Sequence, residues 1–276
     1  MVTTTPAPLV TAYMSSPVVT VSASDAVATA EAALARHNLS AVLVIGRSGQ
    51  PAGVLSRRDL LRVGRVLAHV EDGAQRAVLQ LPSLSCGDLM SHPVLSVGPT
   101  ATVEDACRVL VEGKVHRVFV VDRDEAVGVF STKEAMRVVA DARLATPLDD
   151  VRSKEIVAID VREPWAEAAK LLDRGGIGGV VVTELETPVG LFTEIEALAA
   201  KDRPPSTPTE EVMSQAMLCL PGRTPLYRAA GFSIANRARR ILVTHEHHAR
   251  GVVSGVDFAR AYLESRPGPS TGIAAG

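Results

Sequence analysis

Four times in this sequence a hydroxyl residue stands three positions ahead of an acid, each time behind a glycine and two apolar residues. The phrase reads Gly53-Val-Leu-Ser56-Arg-Arg-Asp59, then Gly128-Val-Phe-Ser131-Thr-Lys-Glu134. It returns as Gly190-Leu-Phe-Thr193-Glu-Ile-Glu196 and Gly251-Val-Val-Ser254-Gly-Val-Asp257. A carboxylate can accept two hydrogen bonds from a vicinal diol, and a hydroxyl beside it fixes its geometry. Upstream of the second and fourth phrases stand the cationic pairs His116-Arg117 and Arg239-Arg240. A guanidinium clamps a phosphate with two parallel hydrogen bonds. The chemistry on offer is therefore recognition of a sugar phosphate. The same hydroxyl-to-acid spacing also makes a helix capping box, and one carboxylate can serve both ends.

The elements that must carry these residues follow from the repeat itself. Each phrase is preceded by an opening: Met14-Ser-Ser-Pro17, Met90-Ser-His-Pro93, a degraded Val151-Arg-Ser-Lys154, and Met213-Ser-Gln-Ala216. Opening and glycine are 38 or 39 residues apart in every copy. After each opening comes a short apolar strand, such as Val18–Val21 or Val94–Val97. A helix follows. Val103, Ala106, Cys107 and Leu110 lie on one helical face, as do Trp165, Ala168, Ala169 and Leu172. Thr102 with Asp105 reads as a capping box. Pro164 falls in a first helical turn, and Thr224-Pro225 reads as N-cap then N1. Two more strands, such as Val118–Val121 and Val127–Phe130, bracket a polar loop, and a second helix starts near the acid.

Each copy is thus β-α-β-β-α, an α/β (α+β) unit too small for a robust core alone, so the copies are expected to pair, one with two and three with four. The repeats span 9–63, 86–140, 147–200 and 209–263. Val63–Ser85 links the first pair, and the Pro-rich Lys201–Glu211 links the second. A disordered tail is expected over 264–276.

The repeated openings and Gly-x-x-Ser/Thr-x-x-Asp endings resemble CBS domains, and their pairing resembles Bateman modules. Val115-His116-Arg117-Val118 is similar to the nucleotide-sensing gamma subunits of AMP-activated protein kinase. That resemblance implies clefts between paired repeats that bind adenosine-containing ligands. His-Arg would contact phosphate, and the hydroxyl and Asp would contact ribose. On this reading Ser56 and Asp59 join His116 and Arg117 in one site, with Arg57 and Arg58 adding charge. A second site uses Ser254, Asp257, Arg239 and Arg240, with the amides after Thr224 adding a positive dipole. Copies one and three carry Ser40-Ala41 and Gly178-Gly179 at the basic positions. Glu134 and Glu196 reach one methylene further than Asp, so their half-sites are expected to be empty or to hold something else. His92 falls where a base would sit, and a surface role is the other reading.

The resemblance implies a regulatory, non-catalytic protein that binds AMP, ADP or ATP and reports to an unidentified partner protein. It needs no further cofactor. A scaffold with vestigial clefts is the alternative, as is a module for another adenosyl ligand such as S-adenosylmethionine, although a sulfonium would make poor use of His116-Arg117. The four repeats could close within one chain, or two chains could stack as a homodimer.

The totals set bounds. The chain has 276 residues, 46% hydrophobic but only 3% aromatic, so its core must be aliphatic. A formal charge of -2 argues against coating a nucleic acid or a membrane surface. No apolar run approaches the ~20 residues of a membrane span. Met1–Val10 has no signal-peptide pattern. Cys86, Cys107 and Cys219 match no zinc spacing and read as free thiols in a reducing cytoplasm. His245-Glu246-His247-His248 reads as a solvated hairpin loop rather than a metal site. Walker and Rossmann glycine loops and a nucleophile elbow are absent. Gly175-Gly176-Ile177-Gly178-Gly179 precedes a strand and reads as a turn.

Overall fold

The computed structural model describes residues 7–70, 83–174, 177–246 and 248–266. Four three-stranded sheets repeat one plan. In the first copy, β1 (Thr20–Ser22) leads through α1 (Val27–Arg36) to β2 (Ala41–Ile45). A hairpin then gives β3 (Pro51–Ser56), which runs straight into α2 (Arg57–Val70). A short α3 (Cys86–Leu89) opens the second copy, followed by β4 (Ser96–Val97), α4 (Val103–Glu112), β5 (Arg117–Asp122), β6 (Glu125–Ser131) and α5 (Thr132–Asp141). The third has α6 (Leu148–Val151), β7 (Ala158–Asp160), α7 (Trp165–Arg174), β8 (Val180–Glu184), β9 (Thr187–Phe192) and α8 (Glu194–Ala199). The fourth has β10 (Leu218–Pro221), α9 (Leu226–Asn236), β11 (Arg240–His245), β12 (His248–Ser254) and α10 (Gly255–Glu264). In every copy the first strand pairs parallel with the second, across a helix, and the second pairs antiparallel with the third.

The recurring phrases turn out to be halves of one contact. Each hairpin carries an irregularity one step after the residue that faces the repeated glycine, as at Val44↔Gly53 and Val120↔Gly128. Onto that glycine lies the opening of the partner copy. Ser15 exchanges backbone hydrogen bonds with Val129 (2.9 and 3.0 Å), and Ser91 with Val54 (2.8 and 2.9 Å). A Cβ on Gly53 would lie 2.5 Å from Met90 Sδ, and one on Gly128 2.3 Å from Met14 Sδ. Glycine is required there by close approach. Ser214 exchanges the same bonds with Leu191, and Ser153 with Val252. The third opening is therefore Arg152–Glu155, one residue later than the expected Val151–Lys154. Ser153 holds the serine register, and Arg152 replaces the methionine.

Copies one and two, and copies three and four, thus exchange openings, but their helices pack in the other combination. Val103, Ala106, Cys107 and Leu110 of α4, with Phe130 and α5, share one core with Leu226, Ala229, Phe258 and Tyr262 of the fourth copy. Copies one and three share the other, where Leu34, Leu55 and Leu60 meet Trp165, Leu172 and Phe192. Lys201 reaches Glu31 at 2.5 Å across the same seam. Each fully buried Phe or Leu contributes about 1.5–3 kcal/mol. The helix stripes, too small within one repeat, are completed by a repeat of the other module. The strands are covered on their second face as well: Leu43, Phe119, Val181 and Leu242 alternate with the helix-facing residues and are buried.

Two capping expectations part ways. Thr102 and Asp105 form a full capping box. On α9, however, Pro225 is the N-cap, one residue later than expected, and it makes no side-chain cap. Its extended backbone bridges Pro147, and the amide of Leu226 is already bonded to Thr146 O at 2.9 Å. Pro164, expected in a first helical turn, likewise lies just before α7, bridged to Pro208; Trp165, the first residue of α7, is 4% exposed, with its Nε1–H on Pro204 O at 2.8 Å. The Val63–Ser85 link continues α2 to Val70, and residues 71–82 lie outside those described. Of the tail, Arg266 pairs with Glu104 at 3.0 Å, and residues 267–276 lie outside. Gly175, Gly176 and His247, from two expected turns, also lie outside.

Candidate nucleotide clefts

In all four copies the hydroxyl and the acid form a capping box at the start of the second helix. Ser56 N and Oγ donate to Asp59 Oδ2 at 2.8 and 2.6 Å, and Asp59 N donates back at 3.2 Å. Ser131 with Glu134, Thr193 with Glu196 and Ser254 with Asp257 repeat this. The cap uses one carboxylate oxygen and leaves the other for a second partner.

The fate of that second oxygen separates the copies. Glu134 is 1% exposed, and its Oε1 takes a 2.8 Å hydrogen bond from Ser15 of the partner opening. Asp257 Oδ1 takes Arg260 Nη1 at 2.7 Å. Asp59 Oδ1 and Glu196 Oε1 accept no hydrogen bond from the described residues. The acceptors left for a ligand are therefore in the odd copies.

The cations come from the even copies. Arg117 opens β5 and crosses to copy one, where it donates to Ala41 O and to Ser40 Oγ (2.5 Å). Ala41 is the ladder partner of Ser56, so this guanidinium stands one residue pair from the first cap. Its Nε is buried and has no partner among the described residues. Burial, and then the nearby Arg239 charge, pull Arg117 down to about 10, with Glu134 opposing. Arg240 opens β11 and crosses to copy three in the same way. Its guanidinium occupies the space beside Gly178 and Gly179, where a Cβ on Gly178 would fall 1.7 Å from Nη2. Burial is the largest cause that lowers Arg240, although Glu194 and Glu196 oppose it. His116 is reachable by solvent but ringed by protein. Desolvation first, then the Arg240 charge, push its pKa below the usual histidine value.

Between copies three and four is a cavity of about 410 Å³, walled by Leu191, Thr193, Glu196, Met217, Arg239 and Arg240 and closed at one side by Asn38 of copy one. That volume is in the range that holds a nucleoside. It combines an acid-and-hydroxyl ending from an odd copy with a basic pair from an even one, as Asp59, Ser56 and Arg117 do in the first module.

Several sequence expectations are redistributed. Ser56, Asp59 and Arg117 are brought together, and His116 adjoins them. Arg239 and Arg240 join Thr193 and Glu196, the half-site expected to be empty or to hold something else, rather than Ser254 and Asp257. Arg260 already occupies Asp257, a pairing readable from the i,i+3 spacing. Thr224 lies beyond the far end of β10, away from the cavity that begins at Leu218, and supplies no free helix amides. Arg57 is committed to Leu39 O and Leu34 O, both at 2.7 Å. His92 is exposed. Asn38 and Glu194 carry no signal in the repeat pattern. Cys107 is a core thiol, pushed up by burial to about 12. Among the described residues no three His, Cys, Asp or Glu side chains assemble as metal ligands, and no helix is long and apolar enough to cross a membrane.

The family model described as the CBS domain matches residues 10–65, 86–141 and 148–202. A 33.4 kDa protein from a ribosomal RNA operon of Thermofilum pendens is 24% identical over 62% of this chain, which spans 57% of that relative's length. The CBS domain-containing protein YhcV of Bacillus subtilis is 28% identical over 42% of this chain and 74% of its own. Among solved structures, protein MJ1225 of Methanocaldococcus jannaschii superposes with a TM-score of 0.79 at 15% identity, covering 92% of this chain and 99% of the other. A conserved protein of Pyrococcus horikoshii reaches 0.64 at 17% identity, covering 91% and 98%. The fourth copy, outside the family matches, has the same strand order, hairpin irregularity and capping box as the other three. The chain belongs to the CBS-domain family.

Proposed function

We propose that this protein is a regulatory sensor that binds an adenine nucleotide in two of its four inter-repeat clefts and reports occupancy to a partner protein in the cytoplasm. The carrying observation is the shared geometry of the two modules. In each, an odd-copy carboxylate keeps one oxygen unengaged and lies near an even-copy guanidinium. The first accepts from a ribose diol, and the second meets phosphate. The unpartnered Nε–H of Arg117 gives that cleft a donor a phosphate oxygen would satisfy.

Burial lowers Arg117, Arg239 and Arg240, neighbouring arginine charge adds to it for Arg117 and Arg240, and this cationic setting favours an anionic ligand over a sulfonium. The acids and hydroxyls are tied into helix caps and the arginines into loop carbonyls, an arrangement suited to binding rather than to proton transfer. The nucleotide is on this reading an exchangeable ligand. A pure scaffold is the second reading, favoured by Ser15 and Arg260, which fill the second and fourth endings.

Isothermal titration of nucleotide-free protein with AMP, ADP and ATP tests this. Saturable micromolar binding of two nucleotides per chain is expected. No heat with any of the three, and an unchanged melting temperature, would leave the scaffold reading in its place.

A further inference from the structure

Four consecutive residues of copy one, Asn38 to Ala41, are gripped by arginines from three different copies. Arg239 of copy four donates to Asn38 O at 2.7 Å. Arg57 of copy one donates to Leu39 O at 2.7 Å. Arg117 of copy two donates to Ser40 Oγ at 2.5 Å and to Ala41 O. Arg117 and Arg239 are the cations of the first and second clefts. The same segment walls both: Asn38 lines the cavity between copies three and four, and Ala41 is the ladder partner of Ser56. Asn38 sits in the left-handed region (φ 49°), which asparagine adopts more readily than other non-glycine residues, so the segment opens on a tight turn. A second link runs alongside. Arg58, beside Asp59, donates to Ile177 O at 3.2 Å and to Glu194 Oε1 at 3.1 Å, and Glu194 is the first residue of α8, next to Thr193.

We infer that the Asn38–Ala41 segment is a positioning element shared by both clefts, and that it couples their occupancy so that a nucleotide in one cleft tightens binding in the other. The inference rests on the nucleotide reading of the two clefts. Without ligand, Arg117 and Arg239 are committed to the segment. A phosphate in the first cleft competes for Arg117 and draws it off Ser40 and Ala41, which loosens the segment. The second nucleotide then detaches Arg239 from a carbonyl that is already less firmly held. Less ordering is left to undo, so the second event is more favourable than the first. Linkage makes the effect reciprocal, whichever cleft fills first.

The test is calorimetric titration of the full chain with AMP, paired with hydrogen exchange at the amides of Asn38 and Leu39, which close onto Ala35 O and Leu34 O. After the statistical factor, the second AMP is expected to bind about fivefold or more tighter than the first. Both amides should exchange faster at half-saturation. Arg57→Lys, outside both clefts, keeps the charge but loses the two-carbonyl grip, and should bring the affinity ratio to about one while two AMP still bind. Two equal, independent sites with unchanged exchange in the wild type would overturn the coupling and leave the nucleotide reading standing. Undiminished coupling in Arg57→Lys would overturn the segment as its carrier. If that variant does not fold, the wild-type ratio and exchange decide. No AMP binding at all would overturn both readings.

Discussion

The two modules reach one arrangement with different residues. In the first, Arg117 stands one ladder pair from the Ser56–Asp59 cap, and its guanidinium spends two donors on copy one and keeps a buried Nε–H unpartnered. In the second, Glu196 faces Arg239 and Arg240, and Arg240 rests over two glycines instead of on a serine and a carbonyl. Side-chain bulk has moved from one copy to the other: Ser-Ala under one arginine in the first module, Gly-Gly under another in the second. The second module also brings Glu194 and Glu196 near its arginines, whereas Asp59 is the unengaged acid of the first. Cleft character is thus set by pairs of copies, and a repeat judged alone misleads. Glu196 looks like a defect within copy three but faces two cations, and Asp257 looks intact within copy four but is occupied by Arg260.

The sharpest way to break this comparison is Arg117→Ala. It removes charge-assisted hydrogen bonds worth about 1.5–3 kcal/mol, so AMP affinity at the first cleft should fall about 10- to 100-fold while the second, whose Asn38–Ala41 wall is already loosened, loses none of its affinity. Calorimetry would then show one strong site and one weak one. Equal losses at both would show that the modules do not own separate cations.

A smaller effect is expected from pH. His116 has a lowered pKa when free, chiefly through burial and then through Arg240, Arg58 and Arg117, with Glu194 raising it. A bound phosphate would raise it, so affinity should climb as pH falls from about 6.5 into the region below. The sign for folding is opposite. The depressed value makes a stability contribution that is present above 6.5 and lost as pH falls through the folded value. Because nucleotide phosphate itself titrates near pH 6, the readout is the difference between wild type and His116→Gln, which should be flat by comparison.

The smallest effect tests the even copies. Asp257→Ala removes a capping box and the Arg260 pair, at a cost of about 1 kcal/mol in stability. The melting temperature should drop by a few degrees with AMP stoichiometry and affinity unchanged. Loss of a binding event would restore Asp257 to the site it was first assigned.

The element order of every copy and the glycine-to-opening spacing were legible in the residues, because apolar periodicity, caps and breakers act over a few positions. The stripe at Val103, Ala106, Cys107 and Leu110 and the four hydroxyl–acid caps needed only local chemistry. Exchange of openings was not legible: the glycine and the methionine that need each other are 37 residues apart for Gly53 and Met90 and 114 for Gly128 and Met14, and belong to different copies. The one-residue shift of the third opening came from the Ser153–Val252 ladder, since Arg152 erases the methionine that marked the register.

The sequence by itself determined that four like units exist, what each is made of, and that carboxylates, hydroxyls and guanidiniums would recur at fixed places in them. Tertiary structure decided which unit meets which. Openings pair copy one with two and three with four, whereas helix stripes pair one with three and two with four. It also decided which carboxylate oxygen is left for a ligand, because Ser15 lies 119 residues from Glu134. A cap is a contact between neighbours in the chain, so its residues announce it. A cleft is an encounter between distant segments, fixed only when burial of every apolar face has settled their relative placement.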